Sequence, residues 1–196
     1  MKNRLLIIFT KNPELGKVKT RIAATLGEEK ALAIYYKLIN YTQQVTESLS
    51  VDRVVCYSDH IDMEDSWRND LYRKELQIGN TLGERMLHAF NQSFNRGYTS
   101  VCIIGTDCIE ITTEIIEKAF MILSEKDCVL GPAKDGGYYL LGMNQLHAVV
   151  FKNKEWSTDS VAGDTIRDFE SARLSYALLP LLSDVDEASD VLDWFN

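Results

Sequence analysis

Residues 5–22 read LLIIFTKNPELGKVKTRI, a short apolar run followed by a loop that contains Pro, Gly and four cations. The run is typical of a buried β-strand, and the cations are Lys11, Lys17, Lys19 and Arg21. Many α/β proteins hold a phosphate chain in this way, because loop amides and a helix N-terminus point at the anion while cations balance its charge. The same cations also fit an ordinary solvated loop.

A Walker-type phosphate loop is the nearest named alternative, since Gly16-Lys17 resembles its core. That motif needs a Gly five positions before its Gly-Lys pair and a Ser or Thr directly after the Lys. Lys11 and Val18 occupy those positions. The segment is therefore not a kinase-type P-loop, although its cations and glycine can still bind phosphate.

Composition places the chain among ordinary globular proteins, with 45 % hydrophobic and 26 % charged residues. A length of 196 residues predicts a single domain over residues 1–196. The net charge of −8 argues against a nucleic-acid partner, which needs an extended basic surface. No apolar run approaches the roughly 18–20 residues that span a bilayer, and the N-terminal apolar run is shorter than a signal-peptide core. We expect a cytoplasmic protein without a membrane partner.

The four cysteines contain no C-x-x-C pair, so the sequence indicates neither a zinc site nor a disulfide framework. Cys56, Cys102 and Cys128 lie in apolar runs, where Cys behaves as a small core residue. Cys108 follows Asp107 at a predicted strand end, which leaves a catalytic thiol as a minor alternative.

Apolar runs alternate with amphipathic stretches along the chain. The predicted strands are Leu5–Phe9, Arg53–Ser58, Glu75–Ile78, Val101–Gly105, Cys128–Gly131, Tyr138–Gly142 and Leu174–Leu179. The predicted helices are Glu28–Ser48, Leu82–Asn95, Thr113–Ser124, Thr158–Ser171 and Glu187–Phe195. Continuously apolar strands separated by helices predict an α/β fold, a three-layer α/β/α sandwich around a mixed, mostly parallel, Rossmann-like sheet. Across Asp135-Gly136-Gly137 two strands lie too close for a crossover helix, so one antiparallel strand is expected there.

In such sheets, ligands bind beyond the carboxyl ends of the strands. Asp107 stands at such an end, after Val101–Gly105. An Asp there can cap a helix, but Thr112 and Thr113 already offer hydroxyl caps to the next helix. We therefore favour a Mg²⁺ ligand, because Mg²⁺ takes one or two protein carboxylates and completes its shell with water and phosphate oxygens.

Asp184 and Asp186 offer a second carboxylate near the C-terminus. Their period-two spacing puts both on one side of an extended segment. Either can instead cap the following helix and favour its dipole, so the sequence leaves both roles open.

Two further segments join strand ends to glycine-rich turns. In residues 77–86, Gly79 and Gly83 permit close backbone approach to a ligand, Gln77 can read a base edge and Arg85 can face the pocket. An ordinary turn capped by Thr81 fits equally well. Residues 131–139, GPAKDGGYY, form either a plain Asp-Gly turn or a loop that holds a sugar or another polar acceptor.

Five ordered motifs resemble the DUF2064 family, a branch of the nucleotide-diphospho-sugar transferase (GT-A-like) superfamily that includes proteins associated with radical-SAM/selenodomain proteins. The motifs are FTK-x-P-x-x-G-x-VKTR at 9–21, Q-x-G-x-x-LG-x-RM at 77–86, GTDC at 105–108, GPA-x-DGGYY at 131–139 and DVD at 184–186.

The resemblance implies a nucleotide-binding site with a divalent cation, Mg²⁺ or Mn²⁺. Lys11, Gly16, Lys19, Arg21, Gln77, Gly79 and Arg85 are then expected to bind the nucleotide. Asp107 and Asp186, or Asp184 in place of the latter, are expected to hold the metal. Asp135, Gly136, Gly137 and Tyr138 are expected to face the substrate, and Lys19, Arg21, Asp107 and Asp135 to form the catalytic set.

The resemblance implies a transferase that uses a nucleotide sugar or a nucleoside triphosphate and a small-molecule acceptor. We place glycosyl transfer from a nucleotide-diphospho-sugar first. Nucleotidyl transfer to a phosphorylated acceptor with release of pyrophosphate is the alternative, and a non-catalytic nucleotide-binding module is a third. Both reactions change charge mainly on phosphate oxygens, so both need the metal and the cations. The sequence leaves the base, the acceptor and the oligomeric state open.

Overall fold

The computed structural model describes residues 3–191. The strands are β1 (Arg4–Thr10), β2 (Asp52–Tyr57), β3 (Arg73–Leu76), β4 (Ser100–Ile104), β5 (Cys128–Pro132), β6 (Tyr138–Met143) and β7 (Tyr176–Leu178). The helices are α1 (Thr20–Leu26), α2 (Glu28–Glu47), α3 (Leu82–Asn95), α4 (Thr113–Ile122), α5 (Val161–Ser171) and α6 (Ala188–Val191), with a 3₁₀ helix at Ala148–Phe151.

The seven strands form one sheet in the order β3-β2-β1-β4-β6-β5-β7. β1 pairs in parallel with β2 and β4, and β5 pairs in parallel with β7. β6 runs antiparallel to both of its neighbours, β4 and β5. The expected antiparallel strand after the Asp-Gly-Gly turn is therefore confirmed, and so is the mixed, mostly parallel sheet.

Side chains of β1 alternate between two cores because successive residues of a strand point to opposite faces. Leu6 and Ile8 pack on the face covered by α1, α2 and α4, whereas Leu5 and Ile7 pack on the face covered by α3 and α5. The helices contribute fully buried side chains to the two cores, including Ile22, Leu38, Phe90, Ile116, Phe120 and Phe169. Helices thus cover both faces of the sheet, and the predicted three-layer sandwich is confirmed.

The topology brings six loops to one edge of the sheet. β1, β2, β3 and β4 end there, and the turn between β5 and β6 lies at the same edge because β6 is antiparallel. The segment after β7 joins them through a bridge between Ala133 and Leu182. All the strand ends selected from the sequence therefore meet at this edge.

Some element bounds differ from the sequence-based expectation. The sequence did not predict α1. Gly27, with φ of 88°, ends α1 and directly precedes α2, so a single residue separates the two helices. α5 begins at Val161 rather than Thr158, after a residue of positive φ at Ser157. β7 is shorter than Leu174–Leu179 because it pairs with β5 over three residues. Positions 192–195 of the predicted last helix lie outside the described residues.

The structure confirms the expected burial of three cysteines. Cys56, Cys102 and Cys128 are buried in strands. Cys108 is buried as well, and burial raises the pKa of its thiol to about 12, which opposes a catalytic thiolate. Within residues 3–191, no helix is both long enough and apolar enough to span a bilayer.

Candidate nucleotide site

Lys19 is the buried cation of the loop that follows β1. It precedes α1 in the left-handed backbone conformation, with φ of 47° and ψ of 48°, and its side chain is 6 % exposed. Its Nζ lies 2.7 Å from the backbone oxygen of Val185, 2.8 Å from Asp107 Oδ1 and 3.4 Å from Asp186 Oδ1. Burial by itself lowers the pKa of Lys19, but the two carboxylates outweigh burial and raise the pKa, so the ammonium is charged.

Asp107 and Asp186 approach this ammonium from different loops. Asp107 follows β4, and its backbone oxygen accepts a 2.9 Å hydrogen bond from the N–H of Val185. That bond fixes the segment that carries Asp186 against the end of β4. The Asp107 and Asp186 side chains are 45 % and 42 % exposed, so a ligand from solvent can reach both.

Asp184 is the more buried of the two C-terminal candidates. Burial, followed by the nearby charges of Asp107 and Asp135, raises the pKa of its carboxyl to about 7, although Lys19 acts in the opposite direction. Its Oδ1 is buried and accepts no hydrogen bond. Both C-terminal carboxylates thus lie near Asp107, and the choice of the second metal ligand stays between Asp186 and Asp184.

The chemistry of this cluster fits a divalent cation. Asp107 Oδ1 and Asp184 Oδ1 are buried carboxylate oxygens that accept no hydrogen bond, and the contact of Asp107 with Lys19 is an ion pair. Oxygen ligands of this kind suit Mg²⁺ and Mn²⁺. Lys19 must move before a divalent cation can bind these two carboxylates, because its ammonium bridges Asp107 and Asp186.

A different trio has the spacing of a metal centre in the present conformation. Glu14, Asp59 and His60 place their ligand atoms within 4.8 Å of one another, the one such group in the described part of the chain. Asp59 and His60 are exposed, and Glu14 is paired with Lys17 at 2.6 Å. Solvated acidic groups commonly cluster in this way, and we assign no role to the trio.

The remaining loop cations lie outward from Lys19. Arg21 is 72 % exposed with its Nη1 3.6 Å from Asp186 Oδ2, and the Lys11 side chain is exposed. Gly16 adopts φ of 75° beside the carboxylate of Glu28. A cavity of about 400 Å³ opens next to this group, lined by Arg21, Thr25, Glu187, Ala188 and Ser189.

Tyr35 joins the two central loops of the site, and no sequence motif indicates this role. Its hydroxyl lies 2.8 Å from the backbone nitrogen of Lys11, 3.1 Å from Thr10 Oγ1 and 3.4 Å from Thr106 Oγ1. Tyr35 is 3 % exposed. It sits at helical spacing among Ile34, Leu38 and Ile39, so the pattern predicts a core residue and does not reveal a polar role for the hydroxyl.

The structure gives Gln77 and Arg85 contacts within the protein. The Gln77 amide donates to the backbone oxygens of Thr10 at 3.1 Å and Cys56 at 2.8 Å, which ties the ends of β1 and β2 together. Arg85 donates to Gln77 Oε1 and to the backbone oxygen of Gly79. Gln77 therefore braces the sheet edge here, and its expected contact with a base stays a prediction.

The turn between β5 and β6 presents Asp135 at the sheet edge. Its Oδ1 accepts a 2.8 Å hydrogen bond from the N–H of Gly137, and Gly136 adopts φ of 89°. Tyr138 is partly buried against the core beneath α3, with its hydroxyl 3.5 Å from Met86 Sδ, and its expected contact with the substrate stays a prediction. The turn thus brings Asp135 toward Asp184.

The chain matches the model of the DUF2064 family, described as an uncharacterized protein conserved in bacteria, over residues 41–158. The chain belongs to this family. No curated protein matches its sequence.

Solved structures share the fold of this DUF2064 member. A protein from Desulfovibrio desulfuricans G20, provisionally named a nucleotide-diphospho-sugar transferase, is 34 % identical over 97 % of this chain and 85 % of that chain, with a TM-score of 0.90. The inositol-1-phosphate CTP transferase from T. maritima is 11 % identical over 97 % of this chain and 92 % of that chain, with a TM-score of 0.59. The 4-diphosphocytidyl-2C-methyl-D-erythritol synthase from Anaerococcus prevotii DSM 20548 is 12 % identical over 98 % of this chain and 96 % of that chain, with a TM-score of 0.60. The last two show the fold alone.

Proposed function

We propose that this DUF2064 protein is a transferase that uses an activated nucleotide together with Mg²⁺ or Mn²⁺. The convergence of Lys19, Asp107 and Asp186 at the carboxyl edge of the sheet carries the proposal. The two carboxylates are reachable from solvent, and a buried oxygen of Asp184 that accepts no hydrogen bond lies beside them. A cation held there has positions left for phosphate oxygens, which is how Mg²⁺ is commonly bound with nucleotides.

The first candidate reaction is glycosyl transfer from a nucleotide-diphospho-sugar. An acceptor hydroxyl attacks the anomeric carbon, the bond from that carbon to the diphosphate oxygen breaks, and a nucleoside diphosphate leaves. A bound divalent cation supplies charge stabilisation to the departing diphosphate. We assign Lys19 and Arg21 to the phosphates, and Asp135 with Gly136 and Gly137 to the acceptor side. The name given to the relative that is 34 % identical supports this reaction.

Nucleotidyl transfer is the second candidate. A phosphorylated acceptor attacks the α-phosphorus of a nucleoside triphosphate, the bond to the bridging oxygen breaks and pyrophosphate leaves. The four cations of residues 11–21 favour it, because a triphosphate carries more negative charge than a diphosphate ester. The same residues serve either reaction, since both concentrate charge on phosphate oxygens.

Thermal unfolding in the presence of nucleotides tests the proposal. Nucleoside triphosphates and nucleotide sugars are added with and without Mg²⁺, and a ligand at a hundred times its Kd stabilises the protein by about 2.7 kcal/mol. We expect at least one nucleotide to raise the unfolding temperature, and Mg²⁺ to enlarge the effect. If no nucleotide changes the unfolding temperature, both reactions are refuted.

Matched variants and product analysis then locate the metal and identify the reaction. Asp107→Asn is expected to abolish the Mg²⁺ enhancement, whereas Glu117→Gln on the exposed side of α4 is expected to retain it. Equal enhancement in both variants contradicts the metal assignment. Release of nucleoside diphosphate indicates glycosyl transfer and release of pyrophosphate indicates nucleotidyl transfer. Nucleotide binding without turnover over a wide range of acceptors indicates a non-catalytic module.

A further inference from the structure

The Lys19 ammonium is enclosed by protein oxygens in this conformation. It donates hydrogen bonds to the backbone oxygen of Val185 and to Asp186 Oδ1, and it forms an ion pair with Asp107 Oδ1 at 2.8 Å. The side chain is only 6 % exposed. Lys19 must therefore move away from at least one carboxylate before it can contact a nucleotide phosphate.

The same carboxylates are those that the proposed function gives to the metal. An ammonium and a divalent cation in contact with one pair of carboxylates repel each other strongly at such short range, because the site is partly shielded from water. The two cations therefore exclude each other from the Asp107 and Asp186 oxygens. Lys17 in the same loop is different, since it is exposed and paired with Glu14.

We propose that Lys19 and a divalent cation are alternative occupants of the Asp107 and Asp186 carboxylates, so that the ammonium blocks the metal site until a nucleotide arrives. The inference rests on the proposed function. In the free protein the ammonium neutralises part of the negative charge of the two carboxylates. When nucleotide and metal bind, the metal takes the carboxylates and Lys19 transfers its hydrogen bonds to phosphate oxygens. Metal and nucleotide then strengthen each other's binding by the same factor, as thermodynamic linkage requires.

Binding of Mn²⁺ alone, measured from the electron paramagnetic resonance signal of the free ion, tests the exchange. Lys19→Met removes the competing charge, and we expect it to bind Mn²⁺ at least about tenfold more tightly than the wild type without nucleotide. Lys19→Gln is a second neutral variant that keeps a donor for Val185, and it is expected to change in the same direction if the Met variant does not fold. Lys118→Met, on the exposed side of α4, is the matched control and is expected to leave Mn²⁺ binding unchanged.

Nucleotide affinity is expected to change in the direction opposite to Mn²⁺ affinity. It is measured with the nucleotide that thermal unfolding identifies. We expect both neutral Lys19 variants to bind it more weakly, because they lose the cation that contacts phosphate. Tighter Mn²⁺ binding together with weaker nucleotide binding is not expected of a residue that merely stabilises the fold. Mn²⁺ affinity in the neutral variants equal to or below that of the wild type overturns the exchange, provided that the wild type binds nucleotide with metal. Failure of the wild type to bind any nucleotide refutes the proposed function instead.

Discussion

The backbone N–H of Lys11 donates a 2.8 Å hydrogen bond to the hydroxyl of Tyr35, a buried residue of α2. The same hydroxyl contacts Thr10 at the end of β1 and Thr106 one residue before Asp107. One oxygen thus connects the loop that carries Lys19 with the loop that carries Asp107. The relative position of Lys19 and Asp107 therefore depends on a side chain that itself belongs to the core.

Tyr35→Phe is expected to lower the free energy of unfolding by about 1–3 kcal/mol, because it leaves the buried Lys11 N–H without its partner. The same change is expected to weaken nucleotide binding, since the phosphate loop loses its connection to the β4 end. Urea denaturation and nucleotide-dependent thermal unfolding measure the two effects. Tyr36→Phe, on the exposed face of the same helix, is the control. Equal stability of the two variants contradicts a structural role for the Tyr35 hydroxyl.

The raised pKa of Asp184 predicts a pH dependence of stability. Between its ordinary value of 3.8 and about 7, the folded protein retains a proton that the unfolded chain has released. The contribution of Asp184 to the free energy of unfolding therefore decreases as pH rises through this window, by at most about 1.4 kcal/mol per pH unit, and is constant above it.

Asp184→Asn is expected to remove that slope and to be more stable than the wild type at pH 8 in metal-free buffer. Urea denaturation at several pH values from 4 to 8 gives the difference between the two proteins as a function of pH. Glu117→Gln removes a carboxylate from an exposed helix face and should leave the wild-type slope intact. A difference that is independent of pH for Asp184→Asn would contradict the assignment.

The sequence predicted the sheet and the strand ends well, because these depend on local pattern. The continuously apolar runs around β1 and β4 define central strands, and the short Asp135-Gly136-Gly137 turn forces β6 to be antiparallel. The loops that follow these strands then meet at one edge as a consequence of topology. For this reason the sequence alone predicts that Lys19, Asp107 and Asp186 lie at one site.

The polar contacts within the site depended on packing between residues distant in sequence. Tyr35 lies 71 positions before Thr106, and no periodicity distinguishes its bonded hydroxyl from an ordinary core tyrosine. Gln77 had the polarity of a base-reading residue, but the approach of β1 to β2 supplies backbone oxygens that its amide contacts. Tyr138 shares the conspicuous DGGYY segment, but the contact of its hydroxyl with Met86, 52 positions earlier, has no signature in that segment. Side-chain direction and long-range partners are the information that one sequence does not contain.

Gly83 and Trp156 pack too closely for any larger residue at position 83. A Cβ atom on Gly83 would lie 2.5 Å from the indole Nε1. Gly83→Ala is expected to displace the indole and to cost about 1–3 kcal/mol, reduced in part by the better helix propensity of Ala. Tryptophan fluorescence and urea denaturation measure the displacement and the cost.

Gly163→Ala is the control, because a Cβ atom at this helical position would have its nearest neighbour 3.8 Å away. The alanine is expected to stabilise α5 by roughly 0.5–1 kcal/mol. Equal effects at both positions would show that the indole does not limit position 83.

Substitutions at Gly136 and Gly97 distinguish the cost of steric overlap from the cost of backbone strain. Both have φ of 89°, a conformation that favours glycine. A Cβ on Gly136 would lie 2.0 Å from the backbone oxygen of Asp159, whereas one on Gly97 meets nothing within 4 Å. Gly97→Ala is therefore expected to cost about 1 kcal/mol from backbone strain alone.

Gly136→Ala is expected to cost at least about 2 kcal/mol more than Gly97→Ala, because the overlapping atoms are backbone and cannot rotate away. The backbone oxygen of Gly136 also accepts a 2.9 Å hydrogen bond from Ala162, so a shift of the turn disturbs the start of α5. Urea denaturation of the two variants measures the difference in the free energy of unfolding. If the costs are equal, the turn moves freely relative to α5, and Asp135 is not held in position from that side. If the extra cost is found, the contact with Asp159 is what fixes the turn that presents Asp135 at the sheet edge.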